Sequence, residues 1–63
     1  MPIIDVKLIE GRTLDQKRNL VAAVTDAVVQ TLGVPVDSVR ITLHEMAKDN
    51  YAIAGVLWSD SQK

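Results

Sequence analysis

The sequence predicts an α/β fold, a β-α-β protomer ending in a short C-terminal hairpin. Three observations carry that prediction. Residues 3–9 and 38–46 alternate side chains with the period of a strand. Residues 14–32 repeat apolar side chains at the period of a helix. The residues that flank the helical stretch are those that start and stop helices.

The first strand reads Ile3-Ile4-Asp5-Val6-Lys7-Leu8-Ile9. Ile4, Val6 and Leu8 share one face; Ile3, Asp5, Lys7 and Ile9 share the other. Both faces carry apolar groups, so neither reads as fully solvated. Glu10-Gly11-Arg12 leaves the strand, and Thr13 opens the helix. The Thr13 hydroxyl can accept an early N–H while Gln16 reaches back, forming a capping box. Asp15 suits the positive end of the helix dipole. Leu20, Val24, Ala27, Val28 and Thr31 form the apolar stripe, widened by Val21 and Leu32. Lys17, Arg18, Asp26 and Gln30 mark the wetter side. Gly33 fits the residue past the helix end, and Pro35 cannot continue it.

In the second strand Val39, Ile41 and Leu43 face one way, and Arg40, Thr42 and His44 the other. Ala47 to Asn50 is a turn. Residues 51–58 are apolar and short, a hairpin or one or two brief strands, and residues 59–63 read as a frayed tail. A helical crossover of this length makes the two long strands parallel.

A two-stranded unit with one helix leaves open edges and one bare sheet face. The chain has 63 residues, room for one domain spanning 1–63. It has no cysteine and one histidine, so neither a disulfide nor a zinc site can staple it. Yet 48% of its residues are hydrophobic, more than so small a sphere can hide. Part of that surface is therefore expected against other copies of the chain. Pairing two units would give a four-stranded sheet with two helices on one face.

Seven basic residues against eight acidic give a net charge of -1, with no basic run, so nucleic acid is not the expected partner. No apolar run approaches the ~20 residues that span a bilayer. No signal segment is visible, which makes the cytoplasm the default location.

The start of the chain holds the first candidate for chemistry. Pro2 follows Met1, and a small second residue permits removal of the initiator methionine. Removal exposes a secondary amine, a rigid base and nucleophile whose pKa must be depressed to work at neutral pH. With Met1 retained the nitrogen is an amide without basicity. Arg12 and Arg40 are the second candidates, each beside a turn and each able to hold a carboxylate bidentately. Six rises separate Ile3 from Ile9, about 20 Å at ~3.3 Å each. Pro2 and Arg12 therefore lie at opposite ends of one strand, and a site using both needs an antiparallel neighbour. His44, Glu45 and Asp49 read as structural or surface groups. Met46 and Trp58 read as packing groups.

Pro2, Glu10-Gly11-Arg12, Gln16-Lys17, Val39-Arg40, Glu45-Met46-Ala47-Lys48 and Tyr51-Ala52-Ile53-Ala54-Gly55 form an ordered set over the whole chain. In that set the sequence resembles the 4-oxalocrotonate tautomerase family. The resemblance implies a β-α-β protomer assembled as a homohexamer, a trimer of dimers, with intersubunit sites. It implies that processed Pro2 is the general base, and that Arg12 and Arg40 of neighbouring protomers bind substrate carboxylates and stabilise developing charge. It implies no metal and no cofactor. Tyr51 stands where the family usually has phenylalanine, a substrate-binding position that keeps the proline poorly solvated. Ala52 and Ala54 stand where well-known members carry glycine, and their methyls could narrow the pocket or alter the hairpin.

The activity so implied is isomerisation of an unsaturated 2-hydroxy acid or diacid, such as 2-hydroxymuconate, to its conjugated 2-oxo form. Hydration, dehalogenation or decarboxylation by the same proline is the alternative within the superfamily. A ring-forming ligand-binding protein without catalysis is the alternative outside it.

Overall fold

In a computed structural model, which describes residues 1–61, β1 (Ile3–Ile9) and β2 (Arg40–Met46) pair in parallel. Their register sets Ile3 beside Arg40, Asp5 beside Thr42, Lys7 beside His44 and Ile9 beside Met46. Two bonds close the ladder's ends. The Arg40 N–H donates to the Pro2 carbonyl at 3.0 Å, and the Glu10 N–H donates to the Met46 carbonyl at 2.8 Å.

The crossover is α1 (Leu14–Leu32). Its capping box is complete: the Gln16 N–H donates to Thr13 Oγ1 at 3.1 Å, and the Thr13 N–H donates to Gln16 Oε1 at 2.9 Å. Gly33 adopts φ 66°, and its N–H donates to the Val29 carbonyl, which ends the helix. Ile4, Val6 and Leu8 of β1 and Ile41 and Leu43 of β2 are half-buried. So are Leu20, Val21, Val24, Thr25, Val28 and Val29 of α1. The covered stripe thus runs through Thr25 and Val29, not through Ala27, Thr31 and Leu32, which are exposed. Lys17 also departs from the wet side. Its amine pairs with Glu45, and its stem lies beside Leu8 and Leu20.

The second strand starts later than its pattern implies. Pro35 is followed by a 3-10 turn over Val36–Ser38, in which the Ser38 and Val39 N–H groups donate to the Pro35 and Val36 carbonyls. Those donors are spent inside the turn, so the ladder begins at Arg40. A second 3-10 turn covers Lys48–Asn50. β3 (Ala52–Ile53) and β4 (Val56–Leu57) form the expected hairpin, and its two central residues, Ala54 and Gly55, have φ 54° and 82°. The tail is ordered further than expected: Trp58–Ser61 form a helical turn, α2, in which Ser61 Oγ donates to the Trp58 carbonyl at 3.0 Å. The rest of that expected frayed tail, residues 62–63, lies outside the described residues.

The other sheet face, with Ile3, Asp5, Lys7, Arg40, Thr42 and His44, has no cover among the described residues. No side chain among the described residues is buried. Ile3 is 68% exposed and Val36 is 65% exposed. The chain measures 43 × 24 × 14 Å, and its radius of gyration of 14.8 Å exceeds the about 11 Å of a compact chain this long. Its accessible surface of 4777 Å² exceeds a compact monomer's by about 800 Å², one partner's share of an ordinary protein interface.

Folding is therefore expected to be linked to association. The thermal midpoint should rise across a hundredfold increase in protein concentration, and a midpoint that stays fixed would mean that the protomer is stable alone. Ala54→Gly should remove the strain of a side chain in the left-handed region, about 1 kcal/mol, and raise the midpoint by about 4 °C or more. Calorimetry that finds a lower midpoint would show instead that the Ala54 methyl is needed.

Candidate active site

The three chemically distinctive residues fall at two ends of the sheet. At one end stand Pro2 and Arg40, joined through the backbone bond that opens the ladder. With Met1 attached, the Pro2 nitrogen is an amide. Arg40 follows the 3-10 turn, and its Nη1 donates to the Asp37 carbonyl. Arg40 lies beside Ile3 on the open sheet face. Pro2 precedes Ile3 and so, by alternation, continues the opposite, helix-covered face.

Arg12 stands at the other end. Gly11 lets the chain turn there with φ 120°, a conformation that a side chain would strain. Arg12 then precedes the Thr13 cap and makes no ion pair among the described residues. It borders two cavities. One, about 300 Å³, is lined by Leu8, Gln16, Lys17 and Leu20 as well as Arg12. Lys17 is held there by Glu45, a contact that ties the first turn of α1 to the end of β2. The other, about 350 Å³, is lined by Lys7, Glu10, Lys48 and Trp58 as well as Arg12. A third hollow of about 530 Å³ lies between α1 and Val36 and contains no cation.

Tyr51 lies near the Arg12 end, behind Trp58. The two rings meet edge to face with centroids 6.2 Å apart, and the Trp58 N–H donates to the Tyr51 carbonyl at 2.7 Å. It is Trp58, read from sequence as a packing group, that lines the cavity. The signal that could have found it is the turn. Two central residues at 54 and 55 pair Ile53 with Val56 and Ala52 with Leu57, which sets residue 58 opposite 51.

His44 lies 3.7 Å from Asp5 on the open face, and both are exposed. Among the described residues no group of three or more acids and histidines could hold a metal ion, and no helix is long and apolar enough to cross a membrane.

The family model for tautomerase enzymes matches residues 2–61. The chain belongs to the tautomerase family. A 2-hydroxymuconate tautomerase from Bacillus subtilis is 48% identical over 62 residues, covering 98% of this chain and all of that one. A structure from work on the 4-oxalocrotonate tautomerase isozymes of Methylibium petroleiphilum superimposes with a TM-score of 0.95 at 49% identity, covering 97% of this chain and 95% of that one. A structure of a heterohexameric 4-oxalocrotonate tautomerase from Chloroflexus aurantiacus superimposes at 0.91 with 25% identity, covering 95% and 97%. This tautomerase is thus an isomerase-type enzyme on the small α/β protomer of that family, and the reading without catalysis is set aside.

The Tyr51–Trp58 contact has a direct optical test. Trp58 is the only tryptophan. Tyr51→Ala should uncover the indole and shift its emission to the red, whereas Tyr51→Phe should leave it in place. Equal spectra for both variants would contradict the ring contact.

Proposed function

We propose that this tautomerase converts unsaturated 2-hydroxy acids or diacids, 2-hydroxymuconate among them, to their conjugated 2-oxo forms without a cofactor. The single domain encoded by residues 1–63 acts, once Met1 is removed, as one catalytic unit in the cytoplasm. Pro2, freed by loss of Met1, is the general base; Arg12 and Arg40 hold the carboxylates; Tyr51 borders the site. The observation that carries this reading is the separation of Pro2 from Arg12 by the full length of β1, seven residues or about 20 Å. Neither can serve the other within one chain. Two chains paired antiparallel along a free sheet edge bring one protomer's Pro2 to its partner's Arg12. The face that carries Arg40 is bare, which favours donation of that guanidinium to another neighbour. A trimer of dimers satisfies both demands, and the apolar surface left open by the protomer supports it.

In the reaction, the substrate docks with a carboxylate on arginine. Neutral Pro2 takes the 2-hydroxyl proton, and the oxygen lone pair becomes the new carbonyl π bond. The double bonds shift along the chain, and negative charge developing at the 2-oxygen is met by a guanidinium. The protonated amine of Pro2 then returns its proton to a distal carbon. Desolvation and the nearby cations both favour the neutral amine, which keeps it available as a base.

Intact mass should show the loss of Met1. Pro2→Ala should lower kcat/KM at least about a hundredfold while leaving the assembly intact, since general bases contribute that much. Unchanged kinetics would remove Pro2 from the mechanism. Arg12→Ala should raise KM for diacids more than for monoacids. Co-assembly of Pro2→Ala with Arg12→Ala protomers should restore activity at about one site in four, because a random pair of protomers supplies both intact residues to one shared site. Mixed assemblies as inactive as their parents would reject an intersubunit site.

A further inference from the structure

We infer that Trp58 and Lys48 are specificity-determining residues of the Arg12 cavity, selecting a planar, conjugated dianion over saturated or singly charged acids. The inference rests on the reading above for its reaction, but its evidence is the cavity's own lining. Lys7, Arg12 and Lys48 bring three cations to this hollow of about 350 Å³, and Glu10 brings one carboxylate. None of the four has an ion-pair partner among the described residues. The second cavity bordered by Arg12 differs, because its other cation, Lys17, is already neutralised by Glu45. The charge left over beside Trp58 lets this end of the site hold a carboxylate in addition to the one assigned to Arg40.

Trp58 supplies the shape preference. Its indole is a flat, polarisable wall, and it is held from two sides. The Tyr51 ring meets it edge to face, and its backbone N–H is bonded to the Tyr51 carbonyl. A side chain so fixed loses little further freedom when a ligand stacks on it. Leu8 and Ile9 add apolar surface to the same hollow. A conjugated acid can lie flat against such a wall, and a saturated chain of equal length and charge cannot do so as well. Lys48 sits in the 3-10 turn between β2 and the hairpin. Its flexible ammonium can join Arg12 on the carboxylate far from the reacting oxygen, leaving the nearer carboxylate to Arg40.

The test uses the processed, assembled protein and three probes: trans,trans-muconate, its saturated counterpart adipate, and sorbate, a conjugated acid with one carboxylate. Muconate should quench Trp58 emission saturably and bind about tenfold more tightly than either other acid, the scale of one stacking contact or one charge-assisted pair. Trp58→Leu should erase the preference for muconate over adipate, and Trp58→Phe should largely restore it. Lys48→Met should weaken muconate more than sorbate. Calorimetry replaces fluorescence for the Trp58 variants. Adipate binding as tightly as muconate would overturn the role of Trp58, and sorbate doing so would overturn that of Lys48. If Trp58→Leu fails to assemble, quenching in the unsubstituted protein decides. Selective muconate binding without turnover of 2-hydroxymuconate would sink the proposed reaction and leave this inference standing. Turnover without selective binding would do the reverse.

Discussion

A single helix can cover only one face of a sheet. That constraint governs this molecule. Two parallel strands need a long crossover, the crossover is α1, and with α1 in place no other described element lies over Ile3, Asp5, Lys7, Arg40, Thr42 and His44. The C-terminal hairpin does not do it, for it is two residues per strand and its apolar side chains Ile53, Val56 and Leu57 are themselves exposed. The result is a thin, elongated protomer whose own interior is half a core. In the proposed assembly, stability and catalysis would therefore draw on the same resource, contact with further copies.

The same geometry shows how so short a chain could build the proposed site. An enclosed pocket needs walls on several sides, and 63 residues provide few. Here the strand acts as a spacer. It puts the proline at one end and the Arg12 loop at the other, so that in the proposed intersubunit site each end would supply half of a pocket. The helix cap and the Lys17–Glu45 pair hold the Arg12 end against the sheet. The Arg40 N–H holds the Pro2 end to the ladder. Rigid halves of this kind leave little to reorganise when protomers meet.

Much of the fold was legible in the residues. β1 and α1 fall where alternation and helical spacing set them, because Thr13, Gln16 and Gly33 mark the ends chemically and not only by pattern. The start of β2 was less legible. Residues 38 and 39 have strand-like neighbours, but Pro35 permits a turn that consumes their N–H groups. Local composition cannot show where a hydrogen bond will be spent. Lys17 was misplaced for a related reason: a charged side chain with an apolar stem can lie along a core, and only the partner Glu45, 28 residues away, decides that it does. Pro2, Arg12 and Arg40 could be picked out by residue type and by the resemblance. Residue type does not mark Trp58, whose only signal is the two-residue turn that sets it opposite Tyr51. Nor does periodicity in one chain reveal what a neighbour contributes.

That turn has a further consequence. The link between Tyr51 and Trp58 is a matter of counting, because side chains alternate along each arm of the hairpin. Adding or removing a single residue at Ala54-Gly55 would shift the pairing and swing the indole off its cavity without altering any group that touches the reacting atoms. On the specificity role proposed for Trp58, a change of length at this tip would alter which acid binds while leaving Pro2, Arg12 and Arg40 in place.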